Sequence, residues 1–239
     1  MKKIIKLVLL ITAAVFLLLI GVGAIYYIPV FSMNPTKTDR IPNTDIYAIE
    51  NVGNTVYFIR TENGYIMIDA GSSTKEIENS MKKARISIRD VKWILLTHSD
   101  GDHVAALTLF PNANICMSKE ELPFVNGTRK RMFFMKNSLP SGVNVNQIIP
   151  LLDRQQLSIN ETIVKCLLAP GHTDGSMLYL VDNRYLFTGD AFKIKDGNID
   201  VHPFSMNKEL SKKTIEQMKT IINNSPIVLT SHYGLHYKN

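Results

Sequence analysis

Two histidines and two aspartates lie within one six-residue stretch, His-Ser-Asp-Gly-Asp-His at positions 98–103. The apolar run at 91–96 before the stretch predicts a buried strand, and the run at 104–110 after it predicts the first turns of a helix. Imidazoles and carboxylates are ligands for borderline and hard cations, and a turn on a rigid scaffold is a common place for functional residues. The pattern therefore predicts a metal site, in preference to a polar turn with an Asp cap.

Four other places in the chain repeat this context, with a histidine or an aspartate directly after an apolar strand-like run. They are Asp69, His172, Asp190 and His232. With residues 98–103, these places contain four of the six histidines of the sequence. Such ligands suit Zn²⁺, Mn²⁺ or iron, and no cysteine is placed to join them. We therefore expect one metal centre assembled from several strand ends.

The elements that must position these side chains alternate between strands and helices, which predicts a layered α/β domain. The predicted strands are 46–49, 56–59, 65–68, 91–96, one after Pro111, 162–168, 177–181, 185–188 and 226–230. The predicted helices are 74–86, 104–110, a short one near 119–121, and 208–223. Asn63-Gly64 is a strong hairpin signal between two of the strands.

Two segments leave alternatives open. The basic run at 129–136, within the less regular residues 123–150, favours a solvated surface helix; the alternative is a flap that touches an anionic substrate. His202 lies in a polar excursion at 193–207, and we expect an exposed loop histidine, although it could contact substrate or add to the metal shell. His236 is expected to be peripheral.

Cys116 and Cys166 sit in apolar runs and are expected to be buried free thiols rather than a disulfide.

The N-terminus predicts a membrane anchor. Residues 7–31 carry no charge and follow Lys2, Lys3 and Lys6. At about 1.5 Å per residue, a helix of this length crosses a hydrocarbon core of roughly 30 Å. The positive-inside tendency leaves residues 1–6 in the cytoplasm and places the rest outside. A cleaved signal peptide is the competing interpretation. Residues 32–45 are predicted as a linker and 46–239 as the folded domain, with a single-pass location in the cell membrane.

Net charge excludes one class of function. The formal charge is +6, and the three leading lysines supply half of it. The remainder is too mild to predict a dedicated nucleic-acid surface.

The ordered motifs resemble those of the metallo-β-lactamase superfamily over about residues 44–236. The matching segments are Ile68-Asp69-Ala70-Gly71, His98-Ser99-Asp100-Gly101-Asp102-His103, Gly171-His172-Thr173-Asp174-Gly175-Ser176, Thr188-Gly189-Asp190 and Ser231-His232-Tyr233-Gly234. The resemblance implies a four-layer αββα sandwich. It also implies two metal sites. The first would consist of His98, Asp100 and His172, and the second of Asp102, His103 and His232. Asp190 would bridge the two ions.

One ligand departs from the family pattern, because Asp100 stands where the family usually has a histidine. A carboxylate there favours harder ions, so the implied cofactors are two divalent ions, zinc first, with manganese or iron as alternatives. The loss of one site is the competing interpretation. Among the implied catalytic residues, Asp102 would ligate and orient the reacting water, and Asp69 would support the ligands from behind.

The implied function is metal-dependent hydrolysis by a metal-bound hydroxide. The expected substrate is a small molecule or an envelope component outside the cytoplasm, with an ester, thioester, lactone or phosphodiester bond. The chain ends soon after the last motif, so we expect neither the helical substrate domain of glyoxalase-II-like enzymes nor a flavin domain. The alternatives are a non-catalytic binding or sensor module, and oxidation chemistry at a single iron. Fold alone does not choose among them, and the sequence does not indicate an oligomeric state.

Overall fold

The computed structural model describes residues 2–131, 136–195 and 197–237. It divides into two compact units, Met1–Met33 and Asn34–Asn239. The helices of four or more residues in the described chain are α1 (Lys2–Phe31), α2 (Thr74–Ala84), α3 (Gly101–Val104), α4 (Leu122–Val125) and α5 (Lys208–Asn224).

The first unit is the single helix α1. Within the described ranges, one helix is long and apolar enough to cross a membrane, Lys3–Phe31, with a mean hydropathy of 2.9 over its most apolar window. Its length and composition agree with the predicted span, and a signal sequence would meet the same criteria.

The second unit contains two sheets and a separate hairpin. The first sheet has the strand order β1 (Asp39–Arg40), β2 (Ile46–Asn51), β3 (Asn54–Thr61), β4 (Gly64–Ile68), β5 (Val91–Leu95), β6 (Asn114–Ser118) and β7 (Ile149–Leu151). The remaining strands are β8 (Gln156–Ile159), β9 (Thr162–Leu168), β10 (Met177–Val181), β11 (Tyr185–Gly189), β12 (Phe192–Lys195), β13 (Asn198–Val201), β14 (Ile227–Thr230) and β15 (Leu235–Tyr237). The second sheet has the order β15-β14-β11-β10-β9-β8, and β12 pairs with β13.

The sheets pack face to face, and helices cover their outer faces. Between the sheets, side chains such as Tyr57 of β3 and Phe187 of β11 form one apolar cluster, with ring centroids 5.4 Å apart. On the outer face of the first sheet, α2 buries Ile77 and Met81. Helix α5 buries Ile222 against the second sheet. Each fully buried side chain of this size contributes about 1.5–3 kcal/mol. The four-layer αββα prediction is confirmed.

Three elements differ from the sequence prediction. The helix expected at 104–110 breaks after Val104, because the Ala105 and Ala106 amides donate to Gly71 and Ala70 carbonyls rather than continuing the helix. The short helix expected near 119–121 begins at Leu122. Part of the excursion at 193–207 is ordered as the β12–β13 hairpin.

The segment before β2 is packed on the domain, whereas the sequence prediction treats residues 32–45 as a linker. The Asn34 amide donates to the His232 carbonyl at 2.8 Å. The Glu50 amide donates to the Thr38 hydroxyl at 2.9 Å, and β1 pairs with β2. The compact unit therefore begins at Asn34 rather than at residue 46.

Candidate metal centre

The candidate ligands follow strands whose carboxyl ends lie at one edge of their sheets. Asp69 follows β4 and residues 98–103 follow β5, and these two strands are parallel. Asp190 follows β11 and His232 lies just beyond β14, and these two strands are also parallel. Parallel strands end at the same edge of a sheet, so the topology brings Asp69 to residues 98–103 and Asp190 to His232. The Met177 amide donates to the Thr97 carbonyl at 2.9 Å, which joins the edges of the two sheets.

One oxygen of Asp190 lies at the centre of the site. Its Oδ2 atom lies 3.3–3.9 Å from the Nε2 atoms of five imidazoles. They belong to His98, His103, His172, His202 and His232. Ligands at 2.0–2.1 Å from a tetrahedral ion are about 3.3 Å apart, so these separations are close to those of a shared coordination sphere.

The ligand set predicted for the second metal forms one compact group. The Asp102 Oδ2 atom lies 3.2 Å from His232 Nε2 and 3.5 Å from His103 Nε2. Each imidazole is oriented through its other nitrogen. His103 Nδ1 donates to Asp69 Oδ2 at 2.9 Å, and His232 Nδ1 donates to the Gly53 carbonyl at 2.7 Å. With Nδ1 donating to these acceptors, each Nε2 faces the site and can bind an ion when it carries no proton.

Asp69 lies behind the ligands. It accepts hydrogen bonds from the Thr97 amide at 2.7 Å and the Thr97 hydroxyl at 2.8 Å, in addition to the bond from His103. Its φ of +59° turns the chain directly after β4. Asp tolerates this left-handed conformation better than most residues. The contacts favour a supporting role for Asp69 over direct contact with substrate.

The ligand set predicted for the first metal also forms a group, but it includes an unexpected cation. The Asp100 Oδ2 atom lies 3.5 Å from His98 Nε2 and 3.2 Å from His172 Nε2. The guanidinium of Arg131 donates from Nε to both Asp100 oxygens, at 2.8 and 3.0 Å, and from Nη2 to His172 Nε2 at 3.0 Å. Arg131 is only 3% exposed, so the solvated basic face predicted for 129–136 is wrong at this residue. Residues 132–135 of that run lie outside the described residues.

His202 was also misjudged by sequence reasoning. It is 1% exposed, and it forms a further possible ligand group with His172 and Asp190. The expectation of an exposed loop histidine is therefore wrong. The β12–β13 hairpin returns the chain to the site immediately before His202. The Asp196-Gly197 pair between the two strands is a hairpin signal that could have indicated that return.

The site has buried polar atoms that a cation would satisfy. Among the described residues, the Nε2 atoms of His98, His103 and His202 and the Oδ1 atom of Asp190 are buried without a hydrogen-bond partner. A buried polar group without a partner costs about 1–3 kcal/mol, so such a concentration calls for an explanation. An ion bound with Asp102 and His232 would use His103 Nε2 and Asp190, and these residues fit such an ion. The Nε2 atoms of His98 and His202 lie outside that set.

The electrostatics of the second set also favour a cation. Burial would lower the pKa of His232, but the charge of Asp190 and the hydrogen bond to Asp102 raise that pKa to about 10. Burial opposes ionisation of Asp102, yet His103 and His232 lower the pKa of Asp102 to about 2. By contrast, burial lowers the pKa of His172 to about 4 and that of His202 to about 3, so both imidazoles are neutral at pH 7.

A buried glutamate that sequence reasoning missed connects two ligand loops. Glu121 accepts from the Ser99 amide at 2.9 Å, from the Ser99 hydroxyl at 2.6 Å, and from the Thr173 hydroxyl at 2.6 Å. Burial raises the pKa of this carboxyl, and the three hydrogen bonds oppose that rise. Gly175 packs against the Glu121 backbone so closely that a Cβ atom would overlap it. Ser99 and Thr173 adjoin His98 and His172, so this contact fixes the spacing of two candidate ligands.

The fold and the site define a class of protein: a two-sheet αββα domain with a histidine- and aspartate-rich cation centre at its strand ends. The family model for the metallo-beta-lactamase superfamily matches residues 50–221, and the chain belongs to this superfamily. The resemblance predicted from the motifs is confirmed.

Individual relatives agree with the family. The chain is 34% identical over 129 residues to PksB of Bacillus subtilis (strain 168), named a probable polyketide biosynthesis zinc-dependent hydrolase; the match covers 53% of this chain and 48% of PksB. It is 27% identical over 177 residues to MJ0296 of Methanocaldococcus jannaschii, named a probable metallo-hydrolase; the match covers 72% of this chain and 73% of MJ0296. The chain thus spans about half the length of PksB. The solved structure of the Rm3 metallo-beta-lactamase superposes with a TM-score of 0.66 at 16% identity, covering 85% of this chain and 81% of that one.

Proposed function

We propose that the protein is a metal-dependent hydrolase whose divalent ion, zinc first, is held by Asp102, His103, His232 and Asp190. The observation that carries the proposal is the convergence of imidazole nitrogens on Asp190 Oδ2. Two relatives with zinc-dependent hydrolase or metallo-hydrolase names support it. Manganese or iron remain alternatives, because carboxylates form a large part of the ligand set.

When bound, the ion supplies Lewis-acid activation of water and of the substrate oxygen. The side chain of Asp102 is 39% exposed, so water and substrate can reach its carboxylate. With its pKa near 2, Asp102 is ionised at pH 7 and accepts a hydrogen bond from the attacking water. It holds the water proton as the new bond forms. The same carboxylate can pass that proton to the leaving group.

The substrate proposed is an ester, thioester, lactone or phosphodiester, either a small molecule or an envelope component. We propose that α1 anchors the protein in the membrane with the hydrolase domain on the extracytoplasmic side. The uncharged run of α1 and the three lysines before it support this orientation. Cysteine accessibility labelling of a residue-130 variant, Lys130→Cys, in intact cells and in lysed cells tests it; labelling only after lysis would contradict it.

The activity is tested with the full chain in detergent. The panel contains p-nitrophenyl esters, bis-p-nitrophenyl phosphate, an acyl thioester, a lactone and nitrocefin. We expect turnover of at least one class, loss of turnover after treatment with a chelator, and recovery with Zn²⁺, Mn²⁺ or Fe²⁺. Asp102→Ala should reduce kcat by at least about 10²-fold, because the variant loses both a ligand of the ion and the group that accepts the water proton, while circular dichroism shows a folded domain.

The control is Asp182→Asn, since Asp182 is an exposed carboxylate on the β10–β11 turn, in a different part of the fold, and asparagine keeps its backbone hydrogen bond from Ile163. Metal-loaded protein that turns over no member of the panel would favour a binding or sensor module. Near-wild-type kcat for Asp102→Ala would refute the role given to that carboxylate.

A further inference from the structure

Arg131 bonds to the same atoms that the first ligand set would offer to a metal. Its Nε donates to both oxygens of Asp100, and its Nη2 donates to His172 Nε2 at 3.0 Å and to the Phe204 carbonyl at 3.0 Å. A guanidinium has donors and no acceptor, so His172 Nε2 presents its lone pair to Arg131. That lone pair is the one a metal ion would use.

Asp100 is already supplied with donors. Besides Arg131, the Asn137 amide donates to Asp100 Oδ1 at 2.9 Å and to the Ser99 hydroxyl at 2.8 Å. The Arg131–Asp100 pair is largely buried, with side-chain exposures of 4% and 21%. A buried carboxylate with such donors is stable as an ion pair, and separating the pair would leave two buried charges without partners.

The two ligand sets also differ in the support behind their imidazoles. In the second set, His103 and His232 each donate from Nδ1 to a fixed acceptor, Asp69 or the Gly53 carbonyl. In the first set, His98 Nδ1 lies 3.1 Å from the Thr97 hydroxyl, but His172 Nδ1 is buried and, among the described residues, has no partner. Acceptors behind the imidazoles typically strengthen metal binding 10–100-fold. The second set is therefore better prepared for an ion.

We infer that Arg131 takes the place of a metal ion in the first ligand set, and that the protein keeps one tightly bound divalent ion, in the second set. The inference rests on the proposed metal-dependent function and revises the two ions implied by the motifs to one ion and one guanidinium. Charge explains the exchange. Asp100 adds a negative charge where the family usually has a neutral imidazole, and the guanidinium balances it in place of a divalent ion. A second ion would have to displace Arg131 or lie beside its positive charge.

The test is metal stoichiometry, measured on the full chain in detergent. Protein is loaded with Zn²⁺ and dialysed against a weak chelator; zinc per folded protein is then measured by atomic emission, and affinity by competition with a chromophoric chelator. We expect one equivalent in the wild type. Arg131→Gln should hold a second equivalent with at least tenfold higher affinity than the wild type. Arg129→Gln is the matched control, because Arg129 is two residues away, its replacement makes the same charge change, and it pairs with the partly exposed Asp174.

A second pair of variants decides the inference independently of whether Arg131→Gln folds. Asp102→Asn should lose the tight equivalent, and His98→Ala should keep it. Two tight equivalents in the wild type would overturn the inference, as would loss of the tight ion from His98→Ala but not from Asp102→Asn. Either result, with chelator-sensitive turnover retained, would leave the hydrolase activity standing, and the second result would move its ion to the first ligand set. If the protein binds no zinc, manganese or iron and turns over no substrate, both the inference about Arg131 and the proposed hydrolase function are refuted.

Discussion

Replacing Asp69 with asparagine should weaken metal binding without removing any ligand. In the folded protein, Asp69 Oδ2 accepts from both His103 Nδ1 and the Thr97 hydroxyl, and Oδ1 accepts from the Thr97 amide. Asparagine keeps one oxygen, which the Thr97 amide requires. Its NH₂ group then faces His103 Nδ1, where two donors would meet. His103 must move its proton to Nε2, which is the atom required for coordination.

The magnitude follows from these contacts. One charge-assisted hydrogen bond between buried groups is lost, which is worth about 1.5–3 kcal/mol. Loss of an acceptor behind a metal-ligating histidine typically costs 10–100-fold in affinity, or about 1.4–2.8 kcal/mol. We therefore expect Asp69→Asn to reduce zinc affinity 10–100-fold, and to reduce the free energy of unfolding of the metal-free protein by about 1.5–3 kcal/mol.

The assay is competition with a chromophoric chelator, with urea unfolding in excess chelator as a second measurement. Asp182→Asn is the matched control. Asp182 Oδ1 accepts one backbone hydrogen bond, from Ile163 at 2.9 Å, which an asparagine oxygen also accepts. In the control, the free energies of zinc binding and of unfolding should both stay within about 0.5 kcal/mol of the wild-type values. Unchanged zinc affinity in Asp69→Asn, with or without lower stability, would refute the reasoning that Asp69 keeps the proton of His103 on Nδ1.

Two further predictions concern pH and packing. Burial opposes protonation of His103 and His232, but nearby carboxylates raise the pKa of both, that of His232 to about 10, so a proton competes with the ion for each Nε2. Apparent zinc affinity should therefore rise with pH, by about tenfold per unit for each group protonated below its pKa, from pH 6.5 to 8.5 in chelator competition; a flat profile would contradict this. Gly175→Ala should lower the free energy of unfolding, measured in urea, by about 1–3 kcal/mol, because its Cβ would overlap the Glu121 backbone. Gly101→Ala is the control; a Cβ there has open space, so the free energy of unfolding should change by less than about 0.5 kcal/mol. Equal effects of the two substitutions would refute the packing argument.

The fold could be predicted because local and global signals agree. Asn63-Gly64 indicates a hairpin, and the structure pairs β3 with β4 there. The amphipathic spacing at 208–223 predicts α5 almost to its last residue. Ordered polar motifs after successive strands indicate that the strand ends converge, and the structure brings every predicted ligand into one site. Whether each of them binds a metal stays a prediction. The expectation of buried free thiols at Cys116 and Cys166 is confirmed.

The misjudged residues depend on contacts distant in sequence. Arg131 lies in a basic run beside exposed Arg129 and Lys130, so composition indicates a solvated face. Its partner Asp100 is 31 residues away, and no periodicity relates the two. His202 resembles an ordinary loop histidine when the polar composition of residues 193–207 alone is considered, although Asp196-Gly197 signals a hairpin just before it. Helix propensity at 104–110 yields to backbone hydrogen bonds with Gly71 and Ala70, which only the assembled sheet provides.

The packing of the segment that begins at Asn34 decides where the chain can be cut for study in solution. A version that begins at residue 46, the predicted domain start, would lack the Asn34 donor on the His232 carbonyl and the Thr38 acceptor of the Glu50 amide. It would also leave β2 as an edge strand without β1, and an uncovered edge is prone to pair with other chains. A version that begins at Asn34 removes α1 and keeps these contacts. Metal binding measured on the version that begins at residue 46 would reflect a His232 turn that has lost its hydrogen bond from Asn34.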